Sequence, residues 1–390
     1  MADEIGVLIV DDSALMRNLI GKMVESTPGL VVAEKAMNGL FALRKIPRVN
    51  PDIIVLDLEM PEMNGIEFLK ERKKLGIEIP VVILSALARR GAELTMEALA
   101  LGANDFIQKP SDIGGEDLYT VKDLLTNMLL AYGSKYRRSA GKKPISIDAS
   151  QYEFKKPAFP DVAPLHSQDA FLHHVRSTLG IASPAVPAKP PERTRKPGKT
   201  EIIAIGVSTG GPDALRFLCA RLDPDLAVPI VVVQHMPPGF TNEFAKSLDR
   251  VCPLEVKEAA EGDIIKPGRI LIAQGDKHLE LERKALSVIA HLSDAPLVSG
   301  HRPSVDVLFA SVAKIYSNQV LGIIMTGMGR DGAEQLGTIY QEGGITLGQD
   351  EASSVVYGMP RVAYELGHVM EQVPLEHMAQ RICAIVKGQG

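Results

Sequence analysis

The sequence predicts two α/β domains in tandem, and two observations carry that prediction. Short apolar runs alternate with amphipathic stretches near the N-terminus and again after Glu201. Between them lies a Pro-, Lys- and Arg-rich stretch that cannot bury enough apolar surface to offset the entropy of ordering it. Strands apolar on both faces, separated by helices, imply a mostly parallel sheet covered on both sides. At 390 residues the chain is also too long for one ordinary domain.

In the first domain, residues 4–132, strands are expected at Val7–Val10, Ile53–Leu56, Val81–Leu84 and Phe106–Ile107. Helices are expected at Ser13–Glu25, Leu40–Arg48, Gly65–Leu75, Leu94–Leu101 and Asp117–Tyr132. Residues 133–199 read as a linker, with a short helix at Ala170–Leu179. His166, His173 and His174 lie in or beside it, but adjacent histidines on a helix face different ways, which argues against a metal site. In the second domain, residues 200–386, strands are expected at Ile202–Val207, Pro229–Gln234 and Leu321–Thr326, with a helix at Asp213–Arg221. Ile270–Gln274 and His278–Leu281 read as antiparallel additions.

A formal net charge of −5 argues against a nucleic-acid binder, which usually carries a basic face. Cys219, Cys252 and Cys383 are odd in number and far apart, so neither a disulfide framework nor a zinc site is expected, and a reducing cytoplasm fits. The N-terminus has no signal-peptide charge pattern, and no apolar run is long enough to span a bilayer. Direct membrane insertion is therefore not expected.

Asp11 and Asp12 follow the first expected strand, and Asp57 follows the next. In a doubly wound sheet, ligands gather at the carboxyl ends of strands, so these three carboxylates should meet in one crevice. Like charges that close need a cation, and a hard ion with oxygen ligands, Mg²⁺ above all, suits them. Ser85 and Lys109 end later strands and should reach the same rim. A hydroxyl and an ammonium beside a metal-bound carboxylate form a site that could accept a phosphoryl group. Singly, an Asp-Asp pair is usually a helix cap and a Lys-Pro a turn; the ordered set favours chemistry.

These residues sit in Val10-Asp11-Asp12-Ser13, Leu56-Asp57-Leu58-Glu59-Met60-Pro61, Asn64-Gly65, Leu84-Ser85-Ala86 and Phe106-Ile107-Gln108-Lys109-Pro110. Together they resemble the response-regulator receiver domain, which implies a flavodoxin-like fold. The resemblance implies phosphorylation of Asp57 by a partner histidine kinase. It implies Mg²⁺ held by Asp12, Asp57 and the Glu59 backbone carbonyl, with Asp11 acting through water. Ser85 and Phe106, with Lys109 beside them, are implied to form the switch.

In the second domain, Gly206-Val207-Ser208-Thr209-Gly210-Gly211 lies between a strand and a helix and fits a G-x-S-x-G nucleophile elbow. A plain capped turn or a phosphate-binding loop would read alike, although the Walker lysine and the dinucleotide fingerprint are missing. His235 follows the next strand in a Pro-rich loop and is the candidate base. His278, His291, His301 and His368 are weaker candidates. Asp331, after the strand Leu321–Thr326, is the candidate orienting acid. A purely DNA- or protein-binding output domain is the non-enzymatic alternative; no helix-turn-helix pattern supports it.

The stretches Ile205–Pro212, Gln234–Thr241, Ala273–His278, His301–Phe309, Thr326–Ala333 and Glu351–Pro360 resemble the chemotaxis protein-glutamate methylesterase family. The resemblance implies a second α/β esterase domain that acts on methyl-accepting chemoreceptors, hydrolyses their glutamyl esters and deamidates their glutamines. It implies a triad of Ser208, His235 and Asp331, with backbone N–H groups near Thr209 and Met328 stabilising the oxyanion and no cofactor at this site. The long basic linker has no counterpart in the compact family pattern.

Overall fold

The structure, a computed structural model, describes residues 4–85, 89–109, 116–143 and 188–388. The helix expected at Ala170–Leu179, the histidines near it and most of the expected linker lie outside these residues. The chain divides into two compact units, Met1–Pro184 and Ala185–Gly390.

The first unit is a five-stranded parallel sheet: β1 (Ile5–Val10), β2 (Leu30–Ala36), β3 (Ile53–Asp57), β4 (Val81–Ser85) and β5 (Asp105–Gln108), in the order β2-β1-β3-β4-β5. Its helices are α1 (Ala14–Glu25), α2 (Gly39–Val49), α3 (Gly65–Lys74), α4 (Arg89–Ala100) and α5 (Glu116–Ser139). Local chemistry sets the helix starts. The Ser13 and Asn38 side chains accept N–H bonds at the first turns of α1 and α2, and Asn64 and Glu67 form a reciprocal capping box on α3. Strand β2 was not expected from the sequence. It is an edge strand carrying Glu34 and Lys35 on a half-exposed run, so its apolar signal is weak. Helix α5 continues past the expected boundary at 132. Its last turns place Arg137 against the buried Asp52, with Nη1 2.8 Å from the carboxylate.

The second unit holds a seven-stranded parallel sheet in the order β14-β13-β12-β6-β7-β9-β8. Its strands are β6 (Ile202–Val207), β7 (Ile230–Gln234), β8 (Glu255–Glu258), β9 (Arg269–Ile272), β12 (Val320–Ile324), β13 (Ile345–Gln349) and β14 (Glu371–Val373). A separate antiparallel pair, β10 (His278–Arg283) and β11 (Val288–Ser293), supplies the expected addition. The expectation for Ile270–Gln274 is corrected: β9 pairs in parallel with both β7 and β8. Four residues are too few to show a pairing direction, and a strand with neighbours on both sides reads as an apolar run in either case.

Among the described residues, six α-helices complete this unit: α6 (Gly211–Cys219), α7 (Phe240–Asp249), α8 (Val305–Tyr316), α9 (Ala333–Gln341), α10 (Met359–Glu365) and α11 (Leu375–Val386). Leu308, Phe309 and Val312 of α8 are fully buried in one cluster with Ile202, Ala204, Leu336 and Ile339. Each such side chain contributes about 1.5–3 kcal/mol, which fixes the start of α8 beneath the sheet rim. Residues 188–199, expected in the linker, bind this unit. Ala188 N–H donates to Glu365 O, Thr194 N–H to Gln341 O and Gly198 N–H to Asn318 O, and the Arg193 guanidinium lies 4.4 Å from the Tyr340 ring centre.

Candidate active site

Three adjacent strands carry the three candidate residues. Ser208 follows β6, His235 follows β7 and Asp331 follows β12, and β12, β6 and β7 lie side by side. Strands β6 and β12 flank the point where strand order reverses, where parallel sheets open a crevice. Each connecting loop turns into its helix at a left-handed glycine: Gly210 (φ 79°), Gly239 (φ 84°) and Gly332 (φ 85°). A side chain would be strained at these angles, so glycine permits the abrupt strand-to-helix turn that leaves the chemical side chains at the rim.

The side chains converge. His235 Nδ1 lies 3.1 Å from Ser208 Oγ, and His235 Nε2 lies 2.8 Å from Asp331 Oδ2. With Asp331 ionised, Nε2–H donates to the carboxylate and Nδ1 is left to accept the serine proton. The ring nitrogens are exchanged relative to the familiar Ser–His–Asp arrangement, while the roles are preserved.

Asp331 is 1% exposed, yet its carboxylate is fully engaged. Besides His235 it accepts from Ser304 Oγ (2.7 Å), Val305 N–H (2.7 Å) and Asp306 N–H (3.1 Å). The two amides belong to the first turn of α8, whose dipole end favours an anion. Burial pushes the Asp331 carboxyl up, but the His235 contact, Ser304 and Val305 outweigh it and hold it below its ordinary value. Ser304 is in turn placed by His278, whose Nδ1 accepts from Ser304 N–H and whose Nε2–H donates to Pro296 O.

The amides of Thr209 and Met328 donate no hydrogen bond among the described residues, so both can serve an oxyanion. Met328 is brought near by Gly327, where an added Cβ would lie 2.8 Å from Ser208 Cβ. Any larger residue there would push the two loops apart. Gln234 ties the loops together, its Nε2 donating to the carbonyls of Ser208 and His235.

Sequence reasoning weighed His278 and His301 only as weaker candidates for the base and did not foresee their supporting roles. His301 lies flat on His235, with ring centroids 3.8 Å apart and planes 13° from parallel. Burial, with His235 acting in the same sense, lowers its pKa to about 4. Ser304, the α8 amides and Gln234 were also missed. The stretch His301–Phe309 stood out in the sequence, but nothing in it shows that its backbone faces Asp331.

In the first unit Asp11, Asp12 and Asp57 present carboxylate oxygens within 4.8 Å of one another. Lys109 Nζ sits 2.7 Å from Asp57 and 3.1 Å from Asp11. Burial pushes Asp57 up and Asp11 adds to this, while Lys109 opposes it. For Lys109 burial works downward, and the two carboxylates outweigh it and raise its pKa. One ammonium leaves three carboxylates undercompensated, and an all-oxygen donor set of this size fits a hard divalent ion such as Mg²⁺. The Glu59 N–H donates to Asp57 Oδ1 at 3.4 Å. The Ser85 hydroxyl accepts from Thr95 Oγ1 at 2.6 Å, and the Phe106 ring is buried.

Fold and sites define the class: a receiver-type acidic pocket in one α/β unit and a hydrolase-type Ser–His–Asp cluster in the next. Residues 203–382 match the CheB methylesterase family and residues 7–118 the response regulator receiver domain. A Treponema denticola protein described as protein-glutamate methylesterase/protein-glutamine glutaminase is 58% identical over 97% of this chain and 98% of its own. A Treponema pallidum protein of the same description is 50% identical over 97% of this chain and 96% of its own. The crystal structure of the Thermotoga maritima CheB methylesterase catalytic domain is 37% identical, covering 48% of this chain and 99% of that one, with a TM-score of 0.47. The chain belongs to the protein-glutamate methylesterase/protein-glutamine glutaminase family of chemotaxis response regulators.

Proposed function

We propose that this protein hydrolyses γ-glutamyl methyl esters on chemoreceptors, releasing methanol, and deamidates receptor glutamines, releasing ammonia. One observation carries the reading: a continuous hydrogen-bonded chain from Ser208 through His235 to a caged Asp331. His235 takes the Ser208 proton as Oγ attacks the carbonyl carbon. Asp331 steadies the imidazolium, and the amides of Thr209 and Met328 receive the oxyanion. His235 then returns the proton to the departing methoxide, or to the amide nitrogen. Water, deprotonated by the same imidazole, next cleaves the acyl-enzyme and frees Ser208.

We assign the receiver to the first unit, through the end of α5 at Ser139, and the catalytic domain to residues 200–386 with residues 188–199 packed against it, and place the protein in the cytoplasm. A histidine kinase would phosphorylate Asp57 and so control the esterase. Asp12, Asp57 and the Glu59 carbonyl would hold Mg²⁺, with Asp11 acting through water. The ion supplies charge neutralisation to the incoming phosphoryl group. Lys109 would pair with a phosphoryl oxygen, and Ser85 and Phe106 would report the change.

Methanol release from methylated receptor membranes tests the activity. The wild type should release it and Ser208→Ala should fall by a factor of about 10⁴ or more. Equal release by both would end the esterase reading and favour a binding role for the second unit.

A further inference from the structure

One short segment touches two members of the candidate triad. At its start, the His301 ring covers one face of His235. A few residues on, Ser304, Val305 and Asp306 fill the remaining positions on the Asp331 carboxylate. The segment is itself anchored. His301 and Val298 exchange two backbone hydrogen bonds of 2.9 and 3.1 Å. Arg302 donates to Asp276 through Nε and Nη2, and to the carbonyls of Asp294 and Ala295 through Nη1.

We propose that His301 is a positioning residue for the reaction, its ring holding the His235 imidazole in the one plane that aims its two nitrogens at Ser208 and Asp331. The proposal rests on the esterase reading above.

The physical need is specific. The terminal torsion of a histidine is broad, and end-on hydrogen bonds at opposite nitrogens leave the ring free to rock about the line joining them. A flat partner on the ring face removes that motion. It also excludes water from the face and turns an electron-rich π surface toward the imidazolium that forms as the serine proton arrives. A second cation there would repel that imidazolium. The depressed pKa of His301 keeps it uncharged near neutral pH. An aliphatic side chain could fill the volume but would present no flat face.

The test uses the full-length protein with His301→Leu, His301→Asn and His301→Phe. Two readouts are needed: kcat and KM for methanol release, and the rate at which a fluorophosphonate labels Ser208. His301→Leu should lower kcat about 10- to 100-fold, with KM changed by less than about twofold, and should slow labelling to match. His301→Phe should restore most of both rates. The proposal falls if His301→Leu matches the wild type, if its defect lies in KM alone, or if His301→Phe is as slow as His301→Leu. Should His301→Leu fail to fold by circular dichroism, the pair His301→Phe and His301→Asn decides: a fast Phe and a slow Asn support it, and equal rates overturn it. A wild type as inactive as Ser208→Ala would remove the esterase reading with the proposal, whereas an active wild type indifferent to these changes would remove the proposal alone.

Discussion

At the scale of single residues, the site is built from side chains legible in the sequence and from donors that are not. Ser208, His235 and Asp331 could be picked out because each follows an apolar strand and precedes a glycine. The amides of Val305 and Asp306 could not, because every residue has an N–H and only the tertiary fold aims these two at Asp331. His301 was in view only as a weaker candidate base, and its stacking on His235 was hidden, since contact across loops leaves no spacing pattern. It does leave a measurable trace in stability. A histidine near 6.5 when unfolded and about 4 when folded must bind a proton on unfolding between those values. Stability is therefore full above pH 6.5 and falls as pH drops toward 4, by roughly 3 kcal/mol in all. Urea unfolding at pH 7 and pH 4.5 should show this loss in the wild type and a smaller one in His301→Phe.

At the scale of elements, the sequence reads best where a strand is buried on both faces. β1, β3, β4, β6, β7 and β12 all lie within a residue or two of expectation. The edge strand β2 escaped notice because water on one side dilutes its pattern, and β9 was found but given the wrong direction because it is too short to carry one. Helix α5 ran on because its last turns earn tertiary contacts: Arg137 reaches Asp52 and the carbonyls of Glu4 and Lys143. Asp52 also accepts from Gly6 N–H and Lys142 Nζ. This knot ties α5 to the starts of β1 and β3. Arg137→Ala leaves a buried carboxylate short of a partner and should destabilise the first unit by about 3 kcal/mol. A lower denaturant midpoint for that unit, with methanol release in native buffer unchanged, is the expected result.

At the scale of the whole molecule, the two units share one plan. Each puts its candidate site where strand order reverses, between β1 and β3 in the first and between β6 and β12 in the second. Membership of the family says that a receiver accompanies the catalytic unit, and the acidic pocket says where a signal would enter. Asp57→Asn should leave basal methanol release intact and abolish its rise when a small phosphodonor such as acetyl phosphate is added with Mg²⁺. A rise that survives the change would place the phosphorylated group elsewhere. Because both candidate sites sit at the carboxyl ends of the strands, exposed turns at the amino ends are open to engineering. The exposed turns at Leu75–Gly76 and at Pro224–Asp225 lead into the amino ends of β4 and β7. Fluorescent reporters spliced into these turns could follow each half of the protein separately while both reactions continue.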